Sequence, residues 1–149
     1  MTLKYKIIPK DLHAHLFSVQ LTCDNPNPLG QVFALPNWIP GSYLIRDFAK
    51  NIVSISAVSC GERVLIKKLD KNHWIANPCE DSITLKYEIY GFDLSPRSAY
   101  LSSERAFFNG SSVFLKPLGF EGSSCEVVIK YPENDQSRSD WDCATTLNL

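Results

Sequence analysis

LPNWIPGSYLIRDFAKNI, residues 35–52, is the stretch of this chain with the most specific residue types. It contains Pro40-Gly41, flanked by Trp38 and Tyr43. Proline presets a negative φ and glycine accepts the positive φ that follows, so this pair suits the two central positions of a type II turn. The chain is therefore predicted to reverse sharply there, with the two large rings fastening the turn to the body of the domain.

Alternation of apolar and polar residues dominates the rest of the chain. It runs from His15 through Phe17 and Val19 to Cys23, most regularly from Ile83 to Ile89, and again from Cys125 to Tyr131. A period of two is typical of half-buried strands, and turn-forming residues separate these segments. One all-β domain over residues 1–149 is predicted, an antiparallel β-sandwich or saddle-shaped sheet of about eight short strands.

Several shorter segments carry their own predictions. Val53–Lys67 alternates around Cys60-Gly61-Glu62 and is predicted to form a hairpin. Residues 44–50 fit either one helical turn or an irregular extended piece, because the period does not decide between them. Residues 113–115 are predicted to be extended, and residues 140–149 to be a strand cut short.

Composition excludes several classes of function. Fifteen basic and sixteen acidic residues leave a net charge of −1, so no footprint for nucleic acid or an anionic membrane is present. No apolar run approaches the roughly 18 residues of a membrane span, and the first residues lack the apolar core of a signal peptide. Five widely spaced cysteines without a Cys-x-x-Cys pair argue against a disulfide framework or a zinc knuckle. A soluble cytoplasmic protein is expected.

The sequence predicts neither catalytic nor metal-binding residues in this chain. The three histidines include no HExxH arrangement, and no G-x-S-x-G motif marks a serine nucleophile. His13 and His15 would share one face of a strand, where two metal ligands are geometrically possible. Because that face continues as Phe17, Val19 and Leu21, histidines at the edge of the core are the favoured interpretation.

A second concentration of specific residues contains Tyr100, Arg105, Phe107, Phe108 and Asn109. On physical grounds a structured loop with inward-packed rings is the favoured interpretation. Together with Trp38-x-Pro40-Gly41-Ser42-Tyr43-Leu44-x-Arg46-Asp47, Trp74 and Trp141-x-x-Ala144-Thr145-x-Leu147, it resembles the amino-terminal domain of the glycyl aminopeptidase family. These are HExxH zinc metallopeptidases that often carry a PDZ domain.

The resemblance implies an amino-terminal fragment of a longer metallopeptidase, inactive by itself. The missing catalytic domain would hold the zinc, so no cofactor is expected in this chain, and the expected partners are that downstream catalytic domain and peptide substrates. By similarity, the loop 105–112 faces the cleft, with Asn109, Gly110 and Tyr100 as candidate substrate-binding residues. Arg46, Asp47 and Arg105 are candidate contacts with the catalytic domain.

An independent carbohydrate- or protein-binding β-sandwich is the alternative function. It predicts that Trp38, Tyr43 or Phe107 forms an exposed stacking groove, whereas an accessory peptidase domain predicts mostly buried rings. A broad apolar face would instead favour a contact between domains.

Overall fold

The chain folds as an all-β domain, and its computed structural model describes residues 2–132 and 141–148. Those residues form twelve strands, more than the eight or so expected, because several strands span four residues or fewer. The strands are β1 Thr2–Asp11, β2 Leu16–Asp24, β3 Gln31–Ala34, β4 Ile52–Ser59, β5 Glu62–Val64, β6 Ile66–Lys68, β7 His73–Ala76, β8 Ser82–Tyr90, β9 Ala99–Leu101, β10 Ala106–Phe108, β11 Lys116–Pro117 and β12 Ser124–Ile129. A 3₁₀ helix spans Phe48–Asn51 and one short α-helix, α1, spans Gly110–Val113.

The strands form one large sheet and two small ones, so the all-β prediction is confirmed. The large sheet has the order β12-β1-β2-β8-β4-β5, and the smaller ones are β11-β3-β7-β6 and the hairpin β10-β9. Its strands pair antiparallel except at one edge, where β12 runs parallel to β1 with Thr2 opposite Ser124 and Ile7 opposite Ile129. The sheet is therefore mixed at that edge and antiparallel elsewhere.

The core lies on one face of the large sheet, because successive side chains of a strand point to opposite faces. In the register of β2 with β8, Phe17 pairs with Ile89 and Val19 with Tyr87, and all four side chains are buried. The four-stranded sheet contributes Phe33, on β3, to the same hydrophobic cluster. The alternation predicted for β2 and β8 is confirmed.

The turn between β1 and β2 differs from the prediction. Asp11 ends β1 and accepts hydrogen bonds at Oδ1 from the backbone N–H groups of His13 (3.0 Å) and Ala14 (2.8 Å), which favours a turn. His15 has φ +59° and precedes β2. The prediction that His13 and His15 share a strand face is therefore wrong, because both lie in the turn.

Three other local predictions have clear outcomes. The hairpin is confirmed for β4 and β5, with Cys60 and Gly61 both at positive φ in its turn, but Ile66 and Lys67 pair with β7 instead. The prediction for residues 113–115 is wrong at Val113, which ends α1, whereas the backbone of Phe114 is extended. No strand forms in residues 141–148, so that part of the predicted final strand is wrong, and positions 140 and 149 lie outside the described residues.

All five cysteines are free thiols. Burial raises the pKa of the Cys23 thiol to about 12, because the core disfavours the thiolate. Within residues 2–132 and 141–148, no helix has the length and apolar character needed to cross a bilayer.

Candidate functional site

The Pro-Gly loop, residues 36–47, has the turn geometry that its sequence predicts. Gly41 has φ +83°, and the N–H of Ser42 donates to the carbonyl of Ile39 at 3.1 Å across the turn. Ile39 is buried in the core at one side of the turn, and Phe48 is buried at the start of the 3₁₀ helix on the other. The loop is thus anchored at both ends.

Ser42 is the hydrogen-bonding centre of the Pro-Gly loop and is only 7% exposed. Its hydroxyl donates to the carbonyl of Leu44 (2.8 Å) and accepts from Nε of Arg46 (3.0 Å). Its carbonyl accepts from Nε1 of Trp38 at 2.8 Å. One small side chain therefore fixes the path of the loop over several residues.

The rings beside the turn are not buried, which corrects the expectation for an accessory domain. Trp38 is 48% exposed and Tyr43 is fully exposed, while the neighbouring Leu44 and Ile45 are 66% and 64% exposed. The indole of Trp38 stabilises the loop through its N–H, but Tyr43 does not fasten the turn to the domain. Phe107 is also partly exposed, on the hairpin of β9 and β10.

The predicted interdomain residues occupy two places. Arg46 and Asp47 lie at the end of the Pro-Gly loop, where Asp47 takes φ +48° and its Oδ2 is 3.9 Å from Nζ of Lys71. Arg105 lies in the loop between β9 and β10, with its guanidinium carbon 5.9 Å from the ring centroid of Tyr100. Their contact with a catalytic domain stays a prediction.

Four planar groups form an aromatic stack beside this hairpin. His15 stacks on Phe92 with centroids 3.8 Å apart, Phe92 stacks on Tyr100 at 5.3 Å, and Arg105 follows. Nδ1 of His15 is 2.6 Å from the carbonyl oxygen of Leu101. The three rings of the stack line an open pocket of about 350 Å³, together with Leu12, His13, Ser102, Ser103 and Glu104.

Asn109 and Gly110 are two of the predicted substrate-binding residues. Asn109 caps α1, and Gly110 is its first residue. Asn109 Oδ1 accepts from the N–H of Ser111 at 3.1 Å, which is the hydrogen bond of a helix N-cap. The N–H of Asn109 donates to the carbonyl of Ser98 at 2.9 Å. The amide oxygen of Asn109 thus already has a local partner, and the substrate roles of Asn109, Gly110 and Tyr100 stay predictions.

Two buried tyrosines hold the segment that follows α1 onto the large sheet. The hydroxyl of Tyr87 donates to the carbonyl of Val113 (2.9 Å) and accepts from the N–H of Leu115 (3.1 Å). The hydroxyl of Tyr5 donates to the carbonyl of Leu115 at 2.9 Å. Burial raises the pKa of both phenols well above the ordinary range, so both remain neutral donors.

A larger apolar cavity of about 490 Å³ opens where β12 and the residues after it meet the hairpin and α1. Phe17, Phe108, Phe114, Ile129 and Trp141 are among its lining residues. Most of its surface is apolar, although Lys130, Asp142 and Cys143 also line it.

The two sequence concentrations are neighbours in space. The Arg97 side chain donates from Nη2 to the carbonyl of Gly41 at 3.2 Å, and α1 contacts the 3₁₀ helix. In residues 2–132 and 141–148, no group of three His, Cys, Asp or Glu side chains is placed to hold a metal ion. The donor set of the described residues therefore does not fit a zinc site.

Comparison with known proteins shows which family this chain belongs to. Residues 4–149 match the family described as the peptidase M61 N-terminal domain. The chain belongs to this family. The match to the M61 N-terminal domain covers nearly the whole sequence and confirms the family that the residue pattern resembles.

A crystal structure of an aminopeptidase N family protein from Idiomarina loihiensis is similar to this M61 N-terminal domain. The two share 44% sequence identity with a TM-score of 0.85 over 88% of this chain. The match spans only 22% of the relative's chain. A search of curated proteins gave no match.

Three contributors to this site were not predicted from the sequence. Arg97 lies in a segment of weak pattern, and its bond to Gly41 joins positions that are 56 residues apart. Phe92 belongs to the stack only because β8 and β9 bring it beside His15. Ser42 belongs to the motif around the Pro-Gly turn, and no local signal distinguishes its buried hydroxyl from that of an exposed serine.

Proposed function

We propose that this chain is the non-catalytic amino-terminal domain of a zinc-dependent M61 aminopeptidase. In this role it packs on a catalytic domain and walls one side of the active-site cleft, which restricts the cleft to chain ends of peptide substrates. The observation that carries the proposal is the match of residues 4–149 to the M61 N-terminal domain. The aminopeptidase N family relative, of which this chain spans 22%, supports a much longer parent protein.

The zinc of the parent enzyme is proposed to lie outside this chain. The histidines at positions 13 and 15 lie in a turn, with the His15 ring stacked against Phe92. Neither is joined by further ligands in a cluster among the described residues. This domain is accordingly assigned binding and positioning roles, in a cytoplasmic enzyme that can also carry a PDZ domain.

Within this function, Arg46, Asp47 and Arg105 are proposed to contact the catalytic domain, and Tyr100, Asn109 and Gly110 to border the cleft. Arg105 is exposed and its charge would repel a substrate ammonium group, so an anchoring role suits it better. Tyr100 lines the open pocket that also contains the carboxylate of Glu104. A carboxylate beside aromatic faces is a favourable environment for a cation.

The test exchanges domains with the Idiomarina loihiensis relative. One protein is that relative shortened by the region that this chain matches, and the other carries this chain in its place. We expect the chimera to cleave an aminoacyl reporter and to prefer free chain ends, and the shortened protein to lose that preference. Purified residues 1–149 that bind one zinc tightly and cleave the reporter by themselves would contradict the proposal.

An independent binding module is the second candidate, because Trp38 and Tyr43 are exposed in the isolated domain. Exposed rings of this kind can stack on sugars. Titration of the chain with oligosaccharides, followed by tryptophan fluorescence, separates the two functions. Saturable binding that is lost in Trp38→Ala would favour the module.

A further inference from the structure

Three consecutive large hydrophobic side chains, Tyr43, Leu44 and Ile45, are exposed at the tip of the Pro-Gly loop. No other run of this kind occurs in residues 2–132 and 141–148, where the remaining exposed hydrophobic residues are not adjacent in sequence. Single exposed apolar residues are ordinary on protein surfaces. A consecutive exposed run is unfavourable in water and marks a functional surface.

The backbone that presents these side chains is fixed rather than loose. The Ser42 hydroxyl bonds Leu44 within the run and Arg46 directly after it, and the N–H of Arg46 donates to the carbonyl of Asn37 at 2.7 Å. Arg97 braces the turn from the neighbouring loop through the carbonyl of Gly41. A surface that is already ordered loses little conformational entropy on binding, so this loop is preorganised for a partner.

The run has the composition of an interface centre. A tyrosine supplies a large ring with two rotatable bonds, and two aliphatic neighbours supply apolar area beside it. Arg46, directly after the run, has Nε already bonded to Ser42, so its guanidinium is held in place at the border of the surface. An apolar centre with a polar border is the usual anatomy of a protein–protein contact.

We infer that Tyr43, Leu44 and Ile45, here called the loop face, form the surface on which the peptidase body of the longer protein packs. The inference rests on the proposed function and names the surface that this function leaves open. The peptidase body is the expected partner because the matched region makes up only 22% of the chain of the relative that shares 44% identity. Most of such a protein is therefore available to cover an apolar surface on the domain.

The test measures binding of the 149-residue chain to the Idiomarina loihiensis relative shortened by the matched region. The variant is Leu44→Glu combined with Ile45→Glu. The matched control is Leu29→Glu, an exposed leucine at the opposite end of β3. We expect wild type and control to bind alike and the double variant to bind roughly tenfold or more weakly, because charges would enter an apolar contact.

Each outcome of this experiment has a distinct meaning. Equal binding by the double variant overturns the loop face while leaving the proposed packing intact. Absence of binding by the wild type overturns the proposed function and the inference with it. A wild-type dimer that the double variant disperses in sedimentation velocity assigns the surface to a second copy and overturns the inference.

Two measurements guard against a misfolded variant. The melting temperature of the double variant should match wild type, because both side chains are exposed. Hydrogen exchange of the wild-type complex should show slower exchange of amides 43–46 and unchanged exchange in the turn between β4 and β5. Unchanged exchange at 43–46 in a complex that does form would also overturn the loop face.

Discussion

The hydroxyl of Tyr87 both donates to the carbonyl of Val113 and accepts from the N–H of Leu115. A single buried group in the middle of the large sheet thereby satisfies one backbone group at the end of α1 and one just after it. Tyr5 makes a third such bond from the adjacent part of the sheet. Through these contacts the sheet fixes the position of α1 and of Asn109, which caps it.

Replacing Tyr87 with phenylalanine should destabilise the domain by about 1–3 kcal/mol, because the carbonyl of Val113 and the N–H of Leu115 lose a buried partner. Equilibrium unfolding in urea measures this change. Tyr90→Phe is the matched control, since Tyr90 follows on β8 at a partly exposed position. If both variants unfolded at the same urea concentration as wild type, the bonds of Tyr87 would contribute nothing to stability.

Gly41→Val should destabilise the domain by about 1–2 kcal/mol through its backbone, because a β-branched residue is strained at φ +83°. Beyond the chain neighbours, no atom lies within 4 Å of where a Cβ on Gly41 would stand, so the expected cost comes from the backbone. Gly122→Val is the control, because its Cβ also meets open space and its φ is not left-handed. Thermal unfolding compares the two, and an unchanged melting temperature for Gly41→Val would disprove the required turn geometry.

Ser42→Ala should loosen the Pro-Gly loop while leaving the strands intact. Nε of Arg46 loses its acceptor and the carbonyl of Leu44 its donor, a loss of about 1–2 kcal/mol. Hydrogen exchange of amides 43–46 should accelerate relative to wild type, with Ser103→Ala as an exposed control. Exchange rates equal to wild type would show that the hydroxyl does not hold the loop.

Acid should weaken the pair of Lys10 and Glu88 on the large sheet. The hydrogen bond from Lys10 holds the pKa of the Glu88 carboxyl below its ordinary value of 4.5, and Ser54 adds a bond at 3.2 Å. Because the folded state favours the ionised form, this contribution is complete above the unfolded pKa. It is lost as pH falls below 4.5 through the folded pKa.

The corresponding experiment compares melting temperatures of wild type and Glu88→Gln at pH 7 and pH 3. Wild type should be more stable at pH 7, by well under about 1 kcal/mol because Lys10 is largely exposed, and this advantage should shrink at pH 3. Glu62→Gln in the exposed hairpin serves as the control. If the stability difference between wild type and Glu88→Gln does not change with pH, it arises from packing rather than from charge.

The sequence predicted the strands whose two faces differ in environment. Phe17, Val19 and Leu21 alternate with polar residues because one face of β2 is buried, so period two is visible locally. The parallel pairing of β12 with β1 was not predictable in this way, because it joins positions that are more than a hundred residues apart. The same limit explains Val113, where the cap by Asn109 outweighs the β-propensity of valine.

The candidate site was predictable in its location but not in its exposure. Pro40 and Gly41 set the turn by their own dihedral preferences, which require no knowledge of distant residues. Whether Tyr43 lies inward or outward depends instead on the bonds of Ser42 and on the brace from Arg97. Aromatic side chains beside turns are often buried, and that general tendency gave the wrong expectation here.

The pairing of β1 with β12 has a consequence for the synthesis of this protein. β1 can pair with β2 as soon as residue 24 has left the ribosome, but its other edge stays open until residue 129 has followed. An open strand edge is a template for pairing with another chain, so this edge is exposed to such pairing until β12 is made. A chain that ended before Ser124 would keep this edge open permanently.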